Sequence, residues 1–337
     1  MLAVISTQMQ ALASSSNILI ASFLPDIESN HQTQATVAGA FFFIFTAMYV
    51  MEALLQPSLD TRAKRHNWCV RIPSQYHAAL VSLFGWIAFF DVSLWEDPVT
   101  SSSPSAVFGS CIIIGYMAAD LISVFVNFED EGFTFLFHAI ATLCPYCMSL
   151  YTGNFITYTT SAMIAETSTL WLNARFLCII SKRASNALFE LVQLQFFLVF
   201  IFVRIVVAMG FLLPWWLKLA GGAYVKGVPN APFELAELAS GDFANFAKTD
   251  APGWWWVFLT FNIVAMCCLN SMWAVGMVKI ALGLGGGGDK KKGSKKKTKE
   301  DTFTGMNITP FNLLVYVPLM IIPQEKGVGK ESSKKKR

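Results

Sequence analysis

Charge is scarce in this chain: 14% of its 337 residues are Asp, Glu, Lys or Arg, against 54% hydrophobic residues and a mean hydropathy of +0.50. That balance excludes a soluble domain and leaves length for several bilayer spans. No Lys or Arg precedes the short apolar piece 18–24, so the basic start of a conventional signal peptide is missing, and 1–36 reads as a polar tail. Histidine is rare, with four in all. The seven cysteines (Cys69, Cys111, Cys144, Cys147, Cys178, Cys267, Cys268) lie in or beside apolar runs, as buried small hydrophobes do, rather than in a disulfide framework or a paired metal-ligand spacing. Nucleotide loops and hydrolase elbows are absent, so no metal, no cofactor and no nucleic acid partner is expected. The Asp-Arg-Tyr and Asn-Pro-x-x-Tyr patterns of seven-span receptors are missing as well.

What is present is a series of apolar runs. With roughly 20 apolar residues per spanning helix, spans fall near 37–56, 76–94, 106–128, 133–151, 155–180, 188–213 and 254–282. The fold class is therefore an all-α, polytopic membrane protein of about seven transmembrane helices, or six if the tight links at 128–132 and 151–154 do not both turn. Arg62, Lys64, Arg65 and Arg71 crowd the first loop, Lys182 and Arg183 the fifth and a lysine run the tail, whereas 93–105 has neither Lys nor Arg. By the bias of basic loops to the cytosol, the N-terminal tail is outside or lumenal and the C-terminus cytosolic. The long connection 214–253 becomes a lumenal loop.

Beyond the last span, 284–337 is a Gly- and Lys-rich tail. Lys290, Lys291, Lys292, Lys295, Lys296, Lys297 and Lys299 are placed to attract anionic lipid headgroups, by about 1 kcal/mol per charge near the surface. The apolar piece 310–323 is too short and proline-broken to span, and suits an interface or a protein partner. Asn307 opens a glycosylation sequon that a cytosolic tail would leave unmodified. Lys334 and Lys335, fourth and third from the end, resemble the dilysine retrieval signal of endoplasmic reticulum membrane proteins.

Polar residues inside the spans fall in stripes. Tyr116, Asp120, Ser123 and Asn127 share a helical face, as do His138, Thr142 and Ser149 on the next span, and Glu190, Gln193 and Arg204 on the sixth. The fifth is polar on two sides: Glu166, Thr169 and Asn173 on one, Ser168 and Arg175 on the other. Charges in a bilayer core need protein or water around them, so this helix should be central, with Asp120, His138, Glu166, Arg175 and Arg204 converging. Cys144-Pro145-Tyr146-Cys147 resembles a glutaredoxin site, but it lies inside an apolar helix without a neighbouring βαβ pattern, where Pro145 kinks the span. Trp254, Trp255 and Trp256, with Trp215 and Trp216, sit at span ends and read as an interfacial belt.

Several of these residues carry a family resemblance. Gly115-Tyr116 with Asp120, Phe137-His138 followed by Thr142, Glu166-Thr167-Ser168-Thr169 with Asn173 and Arg175, then Arg204, and Asn270 with Trp273 resemble the TLC domain. That domain is shared by translocating-chain-associating proteins, Lag1-type ceramide synthases and a neuronal ceroid lipofuscinosis membrane protein. The match covers 65–283, after a first transmembrane helix at 37–57. It implies six helices forming a barrel around a lipid-accessible cavity lined by Tyr116, Asp120, His138, Thr142, Glu166, Ser168, Thr169, Asn173, Arg175, Arg204, Asn270 and Trp273. Ceramide synthases carry adjacent histidines and a later His-Asp pair; here His138 stands between Phe137 and Ala139, and Ala165-Glu166 replaces His-Asp. The expectation is a non-catalytic lipid-binding protein of the endoplasmic reticulum that influences lipid homeostasis or trafficking. The alternatives are a lipid N-acyltransferase using His138, acting on acyl-CoA and a sphingoid base to make a ceramide, and a cargo or translocon-associated adaptor.

Overall fold

The computed structural model describes residues 2–55, 62–181, 186–217, 219 and 253–281. Among them the order is α1 (Leu2–Phe23), α2 (His31–Leu55), α3 (Arg62–Phe89), the short α4 (Val92–Glu96), α5 (Pro104–Val126), α6 (Phe128–Thr152) and α7 (Ile156–Met163). A 3-10 turn (Ile164–Glu166) leads into α8 (Thr167–Ser181); α9 (Asn186–Phe200) continues as a π-helix (Ile201–Leu212), and α10 (Gly253–Ala281) follows. No strand occurs among the described residues. Among the described residues, five helices are long and apolar enough to cross a membrane: His31–Leu55, Pro104–Val126, Phe128–Thr152, Ala187–Leu217 and Trp255–Val278. The chain is an all-α, polytopic membrane protein.

Two further rods, α3 and the broken α7–α8, are of similar length but polar in their middles. They are packed against each other in the interior, where polar groups find partners. α3 begins well before the expected span, so Arg65 and Arg71 are helical rather than loop residues. Arg71 donates from Nη1 to Asn173 Oδ1 at 3.4 Å, and its guanidinium lies 4.4 Å from the Phe176 ring centroid.

Small residues set how closely the rods approach. A methyl group at Gly115 on α5 would come within 2.5 Å of Ala38 O on α2, and one at Gly85 on α3 within 2.8 Å of Met163 Cβ. Backbones meet there because nothing larger fits. Pro145 lies inside α6, whose single non-helical residue is Gly132 (φ 76, ψ −177), so the break falls at the start of the helix rather than at the proline. Lacking an N–H, Pro145 frees the carbonyl of Ala141. Asn262 of α10 takes it, donating from Nδ2 at 2.6 Å, and accepts from Tyr158 OH at 3.0 Å. One amide thereby ties α6, α7 and α10 together.

Two sequence expectations are altered. The stretch read as a polar tail is helical over Leu2–Phe23 and packs on α5 and α3. Ala13 and Ile20 are buried, Asn17 donates to Asp91 Oδ2 (2.8 Å), and Asn17 Oδ1 accepts from the Ser105 backbone N–H (3.1 Å). The tryptophans read as a belt include a core: Trp216 and Trp255 are fully buried, and Trp256 meets the Phe155 ring edge-on at 4.6 Å. Phe155 holds a left-handed backbone (φ 62), a conformation costly for a bulky residue, and its ring is locked among Trp216, Trp255 and Trp256. Glu52, near the end of α2, is also fully buried, accepting from Trp68 Nε1 at 3.0 Å.

Candidate functional site

Arg204 is the hub of the interior. In α-helical phase it would share a face with Glu190; the wider π turn that begins at Ile201 rotates it inward, so Arg204 is buried while Glu190 is exposed. Its Nε donates to Ser168 Oγ at 2.8 Å, Nη1 to Asn270 Oδ1 at 3.1 Å and Nη2 to Thr169 Oγ1 at 3.3 Å, with Glu166 Oε1 3.6 Å from Nη2. The rings of Phe200 and Trp273 flank the guanidinium, with centroids 5.5 and 5.8 Å away. A planar fork of donors is suited to such a divided set of acceptors. Ser168 and Glu166, placed on opposite faces by α periodicity, reach the same cation because the guanidinium fork divides between them, Nε meeting Ser168 and Nη2 meeting Thr169 and Glu166.

Arg204 and Glu166 line a cavity of about 90 Å3, shared with His138, Thr142, Asn262 and Asn270 and otherwise mostly apolar. At ~10–15 Å3 per water, it would hold several waters or a small polar headgroup. His138 Nδ1 and Thr142 Oγ1 are buried there without a hydrogen-bond partner, and the His138 ring approaches Trp273 at 6.2 Å.

The remaining expected residues go elsewhere. Asn173 faces α3, where Nδ2 donates to Ser74 Oγ at 3.0 Å. Arg175 lies over Phe189 of α9, 5.9 Å from the centroid, outside the Arg204 cluster. Tyr116 and Asp120 line a second cavity of about 220 Å3, between α2, α3 and α5, together with Ser123 and Asn127 of the same stripe. The stripe is one face, as its spacing indicates, but it turns toward α2. His77, a residue the sequence reading passed over, stacks on Tyr116 and is fully buried with neither ring nitrogen hydrogen-bonded. Glu166 and His138 of the central cavity are within electrostatic reach of it. Asn262 and Tyr158 were also missed; the proline three residues past Thr142 was the available signal for a freed carbonyl in need of a donor.

Among the described residues no group of three or more His, Cys, Asp or Glu is placed to hold a metal ion. Cys144 and Cys147 are free thiols, the first half-buried and the second exposed. Lys334, Lys335, the lysine run, Asn307 and the 310–323 piece lie outside the described residues.

Comparison with known proteins agrees with this architecture. The TLC domain matches residues 67–279, which is more than half of the chain, and the chain belongs to that family of lipid-associated membrane proteins. It is similar to TLC domain-containing protein 4-B of Danio rerio, 29% identical over 164 residues. The alignment covers 48% of this chain and 61% of that relative's length. No solved structure matches the chain.

Proposed function

We propose that this is a non-catalytic TLC-domain protein whose central cavity holds a membrane lipid, acting in membrane lipid homeostasis or trafficking. The observation that supports the reading is how the polar groups of the cavity are used. Glu166, Ser168, Thr169 and Asn270 all surround Arg204, and no carboxylate or hydroxyl hydrogen-bonds the His138 imidazole among the described residues. A histidine base or nucleophile works with a partner that fixes its tautomer and steadies its charge. Here the nearest carboxylate is occupied by a guanidinium. The same reading places the protein in the endoplasmic reticulum membrane with a cytosolic C-terminus, its lysine run against anionic headgroups.

The test is turnover. Purified full-length protein given acyl-CoA and a sphingoid base should form no amide product above background, in the wild type and in His138→Ala alike. Product formation that His138→Ala abolishes would establish the acyltransferase alternative and overturn the proposal.

A further inference from the structure

The second cavity has a chemistry of its own. Its walls include the rings of Phe42, Phe45, Tyr49 and Tyr116, and Asp120 is the one charged residue among those lining it. Asp120 has no hydrogen bond or ion pair among the described residues. Thr46 Oγ1 on α2 and Ser123 Oγ on α5, which line the same space, are buried and unpartnered. Orphaned polar atoms in an apolar setting are costly, by about 1–3 kcal/mol each, unless something completes them. A carboxylate and two hydroxyl oxygens offer acceptors to three donors, and a primary ammonium carries three N–H donors. Aromatic faces add attraction for a cation. A phosphate, in contrast, finds no basic side chain among the lining residues.

Access and depth identify the source of the ammonium. Val50, Ile122 and Val126 line the cavity and are also exposed apolar residues, so it opens sideways between α2 and α5 onto the surface that faces acyl chains. Asp120 is six residues inside the end of α5, about 9 Å at 1.5 Å per residue. That is the depth at which a headgroup can dip while its chains stay in the bilayer. At the helix end the space is bordered by a relay in which Tyr49 OH meets His66 Nδ1 at 3.1 Å and His66 Nε2 meets Glu131 Oε1 at 2.8 Å. We infer that the α2–α3–α5 cavity is a lateral binding site for the primary-ammonium headgroup of a membrane lipid, with Asp120 as the counter-ion and Thr46 and Ser123 as the remaining acceptors. The site is separate from the central cavity and does not depend on what that cavity holds.

Native mass spectrometry of the full-length protein in detergent, titrated with defined lipids, tests this. Phosphatidylethanolamine should bind at least about tenfold tighter than phosphatidylcholine, which differs by methylation of the nitrogen, and than phosphatidylglycerol, which has no amine. A long-chain primary amine without phosphate should compete. Asp120→Asn should remove the preference, and Ser123→Ala with Thr46→Val should weaken it if Asp120→Asn fails to fold. Ala208→Phe, which fills the central cavity, should leave it intact. Equal binding of the three phospholipids, an undiminished preference in folded Asp120→Asn or, if that variant fails to fold, in Ser123→Ala with Thr46→Val, or its loss in Ala208→Phe instead, would overturn the assignment.

Discussion

His77 lies flat against Tyr116, with ring centroids 3.8 Å apart and planes 13° from parallel. Phe45 meets both rings edge-on, at 6.1 and 5.3 Å. Since neither imidazole nitrogen is hydrogen-bonded among the described residues, the ring acts there as packing. His77→Phe should therefore keep the thermal unfolding temperature within a few degrees, whereas His77→Ala should lower stability by about 2–4 kcal/mol by opening a void beside Tyr116 and Phe45. Thermal unfolding in detergent measures both. A large loss in His77→Phe would show that the imidazole has a polar partner.

Glu166 and Arg204 are a buried pair, with side chains 12% and 7% exposed. Removing one member leaves the other desolvated, at a typical cost of about 3–5 kcal/mol. Glu166→Leu should lower the unfolding temperature strongly, and Glu190→Leu, at an exposed position on α9, should stay within about 0.5 kcal/mol of wild type. Glu166→Leu combined with Arg204→Met should recover part of the loss, since no orphaned charge remains. Similar small effects at Glu166 and Glu190 would mean that Glu166 reaches water.

Asn262→Leu deprives Ala141 O of its donor and Tyr158 OH of its acceptor. With each orphaned group worth about 1–3 kcal/mol, this variant should be among the most destabilised of the α10 substitutions. Pro145→Ala on that background should restore stability, because an alanine N–H can bond Ala141 O within the helix. Double-mutant analysis by thermal unfolding measures the coupling, and strict additivity would contradict it.

The proposed cytosolic side of the C-terminus can be checked by protease protection. A C-terminal tag on protein in sealed microsomes should be digested from outside, and its survival would reverse the topology. Replacing Lys334 and Lys335 by serine should shift the protein out of the endoplasmic reticulum; unchanged location would remove those lysines from retrieval.

Membrane class, most spans and the interior placement of Glu166 and Arg204 were legible in the sequence for one physical reason. Glu166 and Arg204 are charges inside spanning segments, and each can persist only with protein around it. Periodicity also grouped Tyr116, Asp120, Ser123 and Asn127 correctly on one face, but it carries no information about which neighbour that face meets, and α2 claimed it. Arg175 is long enough to be satisfied against Phe189 without joining the cluster. Ser168 was misplaced because helical-wheel reasoning takes no account of a long forked side chain that reaches both sides of a helix, as Arg204 does. His77 and Asn262 stayed invisible, each an isolated polar residue whose role is set by a contact far away in sequence. The tryptophan core hid behind composition: belts and buried clusters use the same residues at the same span ends.

The central claim is that the cavity beside Arg204 holds a lipid and no chemistry follows. Ala208 lines that cavity and takes no part in the hydrogen bonds of Arg204. Ala208→Phe should fill the space while leaving the network in place. Native mass spectrometry of wild type and Ala208→Phe, purified in parallel from the same membranes, is the direct measurement. The wild type should retain a co-purifying lipid of unchanged mass, and the folded variant should lose that species. Equal retention in both, or conversion of the lipid to a product of altered mass, would contradict the account.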